Sequence, residues 1–169
     1  MKQVSTYELR ELISDIETEL LRLDQVAISL QQVKINIQQE PKLAGIFYES
    51  LALKLHNFYT GCERIFQLIT SELNGSPPSG YDWYKRLLER MSTVRENRPA
   101  IISLLTAQKL QEYLGFRHIV RNLYGFELDP ERIDRLVEKQ EVIWQQFAQE
   151  IRLFMSWLRQ LSNQIEAEE

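Results

Sequence analysis

Residues 129–165, DPERIDRLVEKQEVIWQQFAQEIRLFMSWLRQLSNQI, decide the fold class of this chain. Asp129 followed by Pro130 is typical of a helix N-terminus, because aspartate caps the first free amides and proline needs no hydrogen bond at the first helical position. Apolar residues then recur every three or four positions from Ile133 to Ile165, which is the spacing of one buried helix face. The stretch predicts one long final helix, and residues 166–169 are expected to fray.

The same periodicity predicts two helices at the start of the chain. Ser5 and Glu8 are spaced as a capping box, and the apolar residues after them continue at helical intervals as far as Ile37. Pro41 fits the first turn of the second helix, because a proline there forfeits no hydrogen bond. The apolar stripe of that helix is Leu43, Ile46, Phe47, Leu51, Leu55, Phe58, Cys62, Ile65, Phe66, Ile69 and Leu73. Residues 75–80, GSPPSG, are predicted to form a loop, since prolines and glycines interrupt the helix.

A shorter third helix is predicted over residues 81–94, and Pro99 is expected to mark the start of a fourth. The apolar residues assigned to this fourth helix are Ile101, Ile102, Leu105, Leu110, Leu114, Ile119 and Leu123. No strand-like alternation and no internal repeat is visible. The sequence therefore predicts an all-α fold, an antiparallel bundle of about five helices in a single domain over residues 1–169.

Composition limits the function classes. The chain has 169 residues, of which 44% are hydrophobic and 26% charged, and its formal net charge is −4. Such a charge disfavours bulk coating of nucleic acid, so any RNA site is expected to be local. The only cysteine and histidines are Cys62, His56 and His118, which argues against a zinc site, and no internal disulfide is possible. No apolar run reaches the ~20 residues of a membrane span and no signal peptide is visible, so a cytoplasmic protein without metal or cofactor is expected.

The candidate site lies in residues 116–129, FRHIVRNLYGFELD. Its polar residues of interest are Arg117, His118, Arg121, Asn122 and Tyr124. On a continuous helix the two arginines and the tyrosine would lie one turn apart on one face, with the histidine and the asparagine paired on the neighbouring face. Guanidinium groups suit bidentate phosphate binding, and an imidazole moves protons near neutral pH. The pattern suits phosphodiester chemistry, although the same residues could instead cap the helix or hydrogen-bond within the bundle.

Other polar residues have simpler interpretations. His56 is predicted to be a partly buried histidine of the second helix and not a catalytic one. Tyr59 and Glu63, one turn apart, could meet the site, but the simpler expectation is a hydrogen bond between them on the helix surface. Five basic residues make the third helix and its exit either an RNA-contacting flank or, more simply, a solvated face. They are Lys85, Arg86, Arg90, Arg95 and Arg98.

The 116–129 stretch resembles the signature of the HEPN ribonuclease toxins. That signature is an arginine followed by a polar residue, then a histidine four to six positions after the arginine, often with a tyrosine two beyond it. Arg117, His118 and Tyr124 match the arginine, the polar follower and the tyrosine, and residues 126–129, FELD, continue as in the HepT-like branch. Residues 55–66, LHNFYTGCERIF, also look like the second helix of that branch.

Asn122 stands where the motif has its histidine. The resemblance implies metal-independent RNA cleavage in which Arg117 holds the scissile phosphate and the motif histidine moves protons, with Arg121 and Tyr124 assigned to RNA or partner binding. An asparagine amide does not titrate, and general acid–base help is typically worth about 10²–10⁴-fold in rate. His118, one turn before Asn122, is the nearby residue predicted to take over that role.

The resemblance further implies a toxin–antitoxin pair whose nucleotidyltransferase antitoxin transfers AMP to Tyr124. Arg117 and position 122 would be about 140° apart on a regular helix, so a homodimer is predicted in which residues 117–124 of two chains meet across a cleft. Two other functions stay open. One is a catalytically inert HEPN module that binds a nucleotide or a partner nucleotidyltransferase, and the other is a structural helical interaction domain.

Overall fold

A computed structural model describes residues 4–95 and 97–168. These residues form five α-helices, α1 (Thr6–Gln39), α2 (Ala44–Ile69), α3 (Trp83–Met91), α4 (Leu104–Val120) and α5 (Pro130–Glu168). A short 3₁₀ turn precedes α2, a π turn continues it to Asn74, and a second 3₁₀ turn precedes α5. The predicted all-α bundle is confirmed. No helix in this part of the chain is both long and apolar enough to cross a membrane.

The helix α2 is the central element, because it packs against α1, α3, α4 and α5. The direction of α1 relative to α5 follows from two ion pairs, Arg10 with Glu166 and Glu17 with Arg159. Residue numbers rise along α1 as they fall along α5, so these helices are antiparallel. Hydrophobic burial along the shared faces supplies most of the stability of such a bundle.

Aromatic side chains join α2, α4 and α5 in the core. Phe58 of α2 and Tyr113 of α4 pack edge to face with ring centroids 5.3 Å apart. The Tyr113 hydroxyl donates to the carbonyl of Leu136 in α5 at 2.7 Å, which satisfies a polar atom that burial would otherwise leave unpaired. This contact ties α4 to the central helix and to α5 just before the candidate site begins.

The capping signals predicted for α1 and for the 75–80 loop are confirmed. The Ser5 hydroxyl accepts from the Glu8 amide at 3.2 Å, and the Glu8 carboxylate accepts from the Ser5 amide at 2.8 Å, which completes the capping box. Gly75 and Gly80 have φ of 86° and 98°, values that side chains rarely tolerate. Glycine is therefore required at both ends of this loop.

The predicted start of the fourth helix at Pro99 is wrong. Ile101 and Ile102 are buried, but they lie in the connection, where both backbone amides donate to the carbonyl of Met91 at the end of α3. The helix begins only after Ser103, whose hydroxyl accepts from an amide of the first turn at 3.1 Å. The third helix is likewise shorter than predicted, because α3 spans only Trp83–Met91.

Several apolar residues assigned to buried stripes are exposed. All lie within three residues of a helix end, where the neighbouring helices no longer cover the stripe. They are Leu43, Ile46, Leu105, Ile119 and Leu123. The expected fraying from Glu166 is also wrong, since α5 continues to Glu168 and Glu166 pairs with Arg10. Glu169 lies outside the described residues.

Candidate functional site

The polar stretch after Phe116 crosses the end of α4 instead of continuing as a helix. The helix ends at Val120, and the side-chain amide of Asn122 donates to the carbonyl of His118 at 3.4 Å. Beyond it the backbone amide of Tyr124 donates to the Glu127 carboxylate at 3.0 Å, which fixes the start of a 3₁₀ turn. The prediction that these polar residues share the faces of one continuous helix is therefore wrong, because local side-chain caps end the helix first.

Arg117 points into the bundle and is only 5% exposed. Its two terminal nitrogens donate to the two carboxylate oxygens of Glu63 in α2, at 3.0 and 2.8 Å. The guanidinium carbon also lies 4.8 Å from the ring centre of Tyr59, one turn earlier on α2. The positive charge of Arg117 is thus neutralised inside its own chain.

Tyr59 and Glu63 were expected to form a hydrogen bond on the helix surface, and that expectation is wrong. Both side chains are buried, and both contact Arg117. Burial and the neighbouring carboxylate raise the pKa of Tyr59 well above its usual range, so it stays a neutral phenol. Sequence offered one signal for this pair, since Glu63 follows the buried Cys62 on the apolar side of α2, and a buried carboxylate requires a partner.

His118 lies in the last turn of α4 and faces α3. Its ring stands 4.4 Å from the ring of Tyr84, measured between centroids, at an angle of 54°. Burial lowers its pKa below the usual 6.5, and the positive charges of Arg117 and Arg121 lower it further. The imidazole is therefore neutral at pH 7 and able to accept a proton.

His56 of α2 is half-buried, as the sequence predicted. Burial is also the main cause that lowers its pKa below 6.5, while Arg117 and Arg121 contribute in the same direction and a hydrogen bond with Asn57 opposes them. Both histidines of the chain therefore lie within electrostatic reach of the same two arginines. Sequence spacing gave no sign of this, since His56 lies in α2 and Arg121 follows the end of α4.

Arg121, Asn122 and Tyr124 are exposed at the end of α4, and Tyr124 is 70% exposed. The structure thus brings together two of the predicted site residues, Arg121 and Asn122, on the surface, while it places Arg117 beneath them. Among residues 4–95 and 97–168, no three histidine, cysteine, aspartate or glutamate side chains gather closely enough to hold a metal ion.

The predicted basic face of α3 and its exit divides into two parts. Lys85, Arg86 and Arg95 are exposed, and the charge of Lys85 also reaches His118. Arg98 is only 4% exposed, which contradicts a solvated role. It donates to backbone carbonyls of Arg90, Thr93 and Pro99 and to the side chain of Asn74, so it clamps the exit of α3. Burial, with the nearby charges of Arg95 and Arg90, lowers the pKa of Arg98 to about 10.

The fold and this site together define an all-α protein with a polar arginine–histidine cluster at the end of its fourth helix. The model of the HepT-like protein family matches residues 50–158, a range that begins in α2 and ends in α5. The chain belongs to the HepT-like family of the HEPN superfamily. No curated protein and no solved structure matches it.

Proposed function

We propose that this chain is the RNA-directed toxin of a HepT-like toxin–antitoxin pair, a metal-independent endoribonuclease of the cytoplasm whose rate is lowered by Asn122. One observation carries the proposal. The exposed guanidinium of Arg121 lies within electrostatic reach of two imidazoles, His56 and His118, and both imidazoles are held neutral at pH 7. A cation for the phosphate and a neutral base for a proton are the groups that cleavage without metal requires.

Arg121 takes the phosphate contact in this proposal, and Arg117 holds α4 against α2. The pairing with Glu63 occupies both terminal nitrogens of Arg117 and neutralises its charge, and the remaining Nε–H donor is buried, so a phosphate cannot reach it while the pair is intact. Arg117 would reach RNA only if its ion pair with Glu63 opened. The exposed Lys85 and Arg86 supply further local positive charge, which an acidic chain needs in order to hold RNA.

Arg121→Gln is expected to lower cleavage of a single-stranded RNA pool in EDTA by about ten- to a hundredfold, since one charge-assisted hydrogen bond is worth about 1.5–3 kcal/mol. The measurement is single-turnover cleavage by the purified protein, resolved on a denaturing gel. Arg152→Gln is the matched control, because it removes the same charge from an exposed residue of α5 on the side that faces α1. Equal cleavage by the two variants, or loss of wild-type cleavage on chelation, would contradict the proposal.

A second candidate function is a catalytically inert HEPN module that binds a nucleotide or a partner nucleotidyltransferase. Two residues favour this inert module. Arg117, at the position of the motif arginine, is neutralised by Glu63 and does not bind phosphate, and Asn122, at the position of the motif histidine, does not transfer protons. Wild-type protein that cuts no RNA yet co-purifies with a nucleotidyltransferase would support this function. In both cases a homodimer is proposed in which residues 117–124 of two chains face each other across an open cleft, and sedimentation at micromolar concentration tests it.

Tyr124 is proposed as the residue that a nucleotidyltransferase antitoxin modifies. Its 70% exposure gives another enzyme access to the hydroxyl, and Arg121, three residues earlier, offers a guanidinium for the added phosphate. Co-expression with the partner is expected to increase the intact mass by one AMP group per chain, with cleavage lowered at least tenfold by charge and bulk. Tyr124→Phe should abolish the mass increase. An unmodified wild-type chain, or modification that survives in Tyr124→Phe, would count against this role.

A further inference from the structure

We propose that His56, on α2, is a catalytic residue that supplies the imidazole missing from position 122. The inference rests on the proposed ribonuclease function and deepens it by naming the proton acceptor. Neither the HEPN signature nor the spacing of residues 117–124 points to this residue, because His56 comes from a different helix. The geometry of one groove carries the assignment.

The groove lies between α2 and the segment that follows α4, and its volume is about 270 Å³. His56 and Arg121 line it together, so an imidazole and an exposed guanidinium face one space. Glu49 is the other charged residue of the lining, and its side chain packs against Gly125, where a Cβ would collide with it. The rest of the lining is apolar.

The polar atoms of the His56 ring are satisfied only in part, since a hydrogen bond with Asn57 leaves one ring nitrogen without a partner. Its Nδ1 atom is buried and has no hydrogen-bond partner within the part of the chain that the structure describes. A histidine that served only packing would be expected to satisfy this nitrogen, because buried polar atoms are almost always hydrogen-bonded. The charged groups around His56 are Glu49 and Glu63 on α2, Arg117 on α4 and Arg121 after it, and burial leaves the ring neutral at pH 7.

His118 also has a buried ring nitrogen, Nε2, without a hydrogen-bond partner in the described residues, but its position makes it the weaker candidate for this groove. Its ring packs on Tyr84 of α3, and it is absent from the groove lining that contains His56 and Arg121. Asn122 follows Arg121 directly, so the motif position and the groove are adjacent in the chain. His56, on α2, therefore supplies an imidazole beside Arg121 that the chain lacks at position 122.

The proton balance of the step is simple. His56 accepts the proton of a ribose 2′-hydroxyl, the 2′-oxygen forms a bond to the adjacent phosphorus, and the bond from phosphorus to the 5′-oxygen breaks. The leaving 5′-oxygen takes a proton from water, the imidazolium later returns its proton to solvent, and the product is a 2′,3′-cyclic phosphate. Arg121 stabilises the negative charge that builds on the phosphoryl oxygens. The requirement for a 2′-hydroxyl makes RNA, and not DNA, the substrate.

The test compares single-turnover cleavage of a single-stranded RNA by wild type, His56→Gln and the Arg152→Gln control, in EDTA across pH 5–9. Wild-type cleavage should rise with pH as His56 loses its proton and level off near neutrality, because a general base works only when deprotonated. His56→Gln should lower the plateau by about 10²-fold and remove this rise, while Arg152→Gln leaves both unchanged. Added imidazole should restore part of the cleavage in His56→Gly, which no packing role would explain.

Thermal unfolding of each variant shows whether the fold is retained. A folded His56→Gln variant that cleaves RNA with the rate and pH profile of the wild type would overturn the role of His56. The ribonuclease proposal would still stand. Wild-type protein that cleaves no RNA at any pH would overturn both. The two failures are thus distinguishable in one set of measurements.

Discussion

Arg117→Ala is expected to lower the free energy of unfolding by about 3–5 kcal/mol, since it leaves the buried carboxylate of Glu63 without a counter-charge. Both side chains are less than a tenth exposed, so water cannot replace the lost guanidinium without opening the α2–α4 interface. Urea denaturation followed by circular dichroism measures the change. A loss of cleavage in this variant would therefore not by itself identify Arg117 as a catalytic residue.

The double variant Glu63→Leu/Arg117→Met is the matched control for this prediction. Replacing both members of a buried ion pair by apolar residues is often neutral or stabilising, so the double variant should be clearly more stable than Arg117→Ala. A double-mutant cycle that adds the single variants Glu63→Leu and Arg117→Met isolates the interaction of the pair. If Arg117→Ala lowers the free energy of unfolding by less than about 1 kcal/mol, the ion pair is solvated. If the double variant is as unstable as Arg117→Ala, packing and not charge holds α2 to α4.

Asn122→His is expected to raise RNA cleavage by about ten- to a hundredfold, part of the factor that general acid–base catalysis usually supplies. Position 122 is exposed and lies beyond the end of α4, so an imidazole there meets no packed core. If His56 takes the 2′-hydroxyl proton, a histidine at 122 supplies the second proton carrier, the acid that protonates the leaving oxygen. The pH profile should then become bell-shaped, because the acid must be protonated while the base is not.

Asn122→Gln is the control for this gain, because it lengthens the side chain without adding a titrating group. An equal gain in both variants would show that the effect is steric. If His118 already moves the proton, Asn122→His should add little, and His118→Ala should abolish cleavage instead. A profile that stays unchanged in Asn122→His would contradict a proton-transfer role at this position.

The five helices were predictable because their signals are local. The capping box at Ser5, the Asp129-Pro130 start of α5 and the glycines that bound residues 75–80 each act within a few residues, and periodic apolar residues identify the faces that pack. Predictions failed at the ends of helices, where local capping hydrogen bonds end or start a helix against the periodic spacing of apolar residues. Ser103 starts α4 later than Pro99 suggested, and the Asn122 and Glu127 contacts end it before the polar stretch is complete.

The sequence by itself determined the helical class, the loops and the family resemblance carried by Arg117 and Tyr124, because each depends on residues near one another in the chain. Only the tertiary structure decided that Arg117 is buried against Glu63 and that His56 shares a groove with Arg121. Both contacts join α2 to α4 or the segment after it, across more than fifty residues of sequence. Helical spacing indicates which residues share a face of a helix. Which other helix covers that face depends on how the whole bundle packs. Burial then decides which charged side chains must pair and which stay exposed.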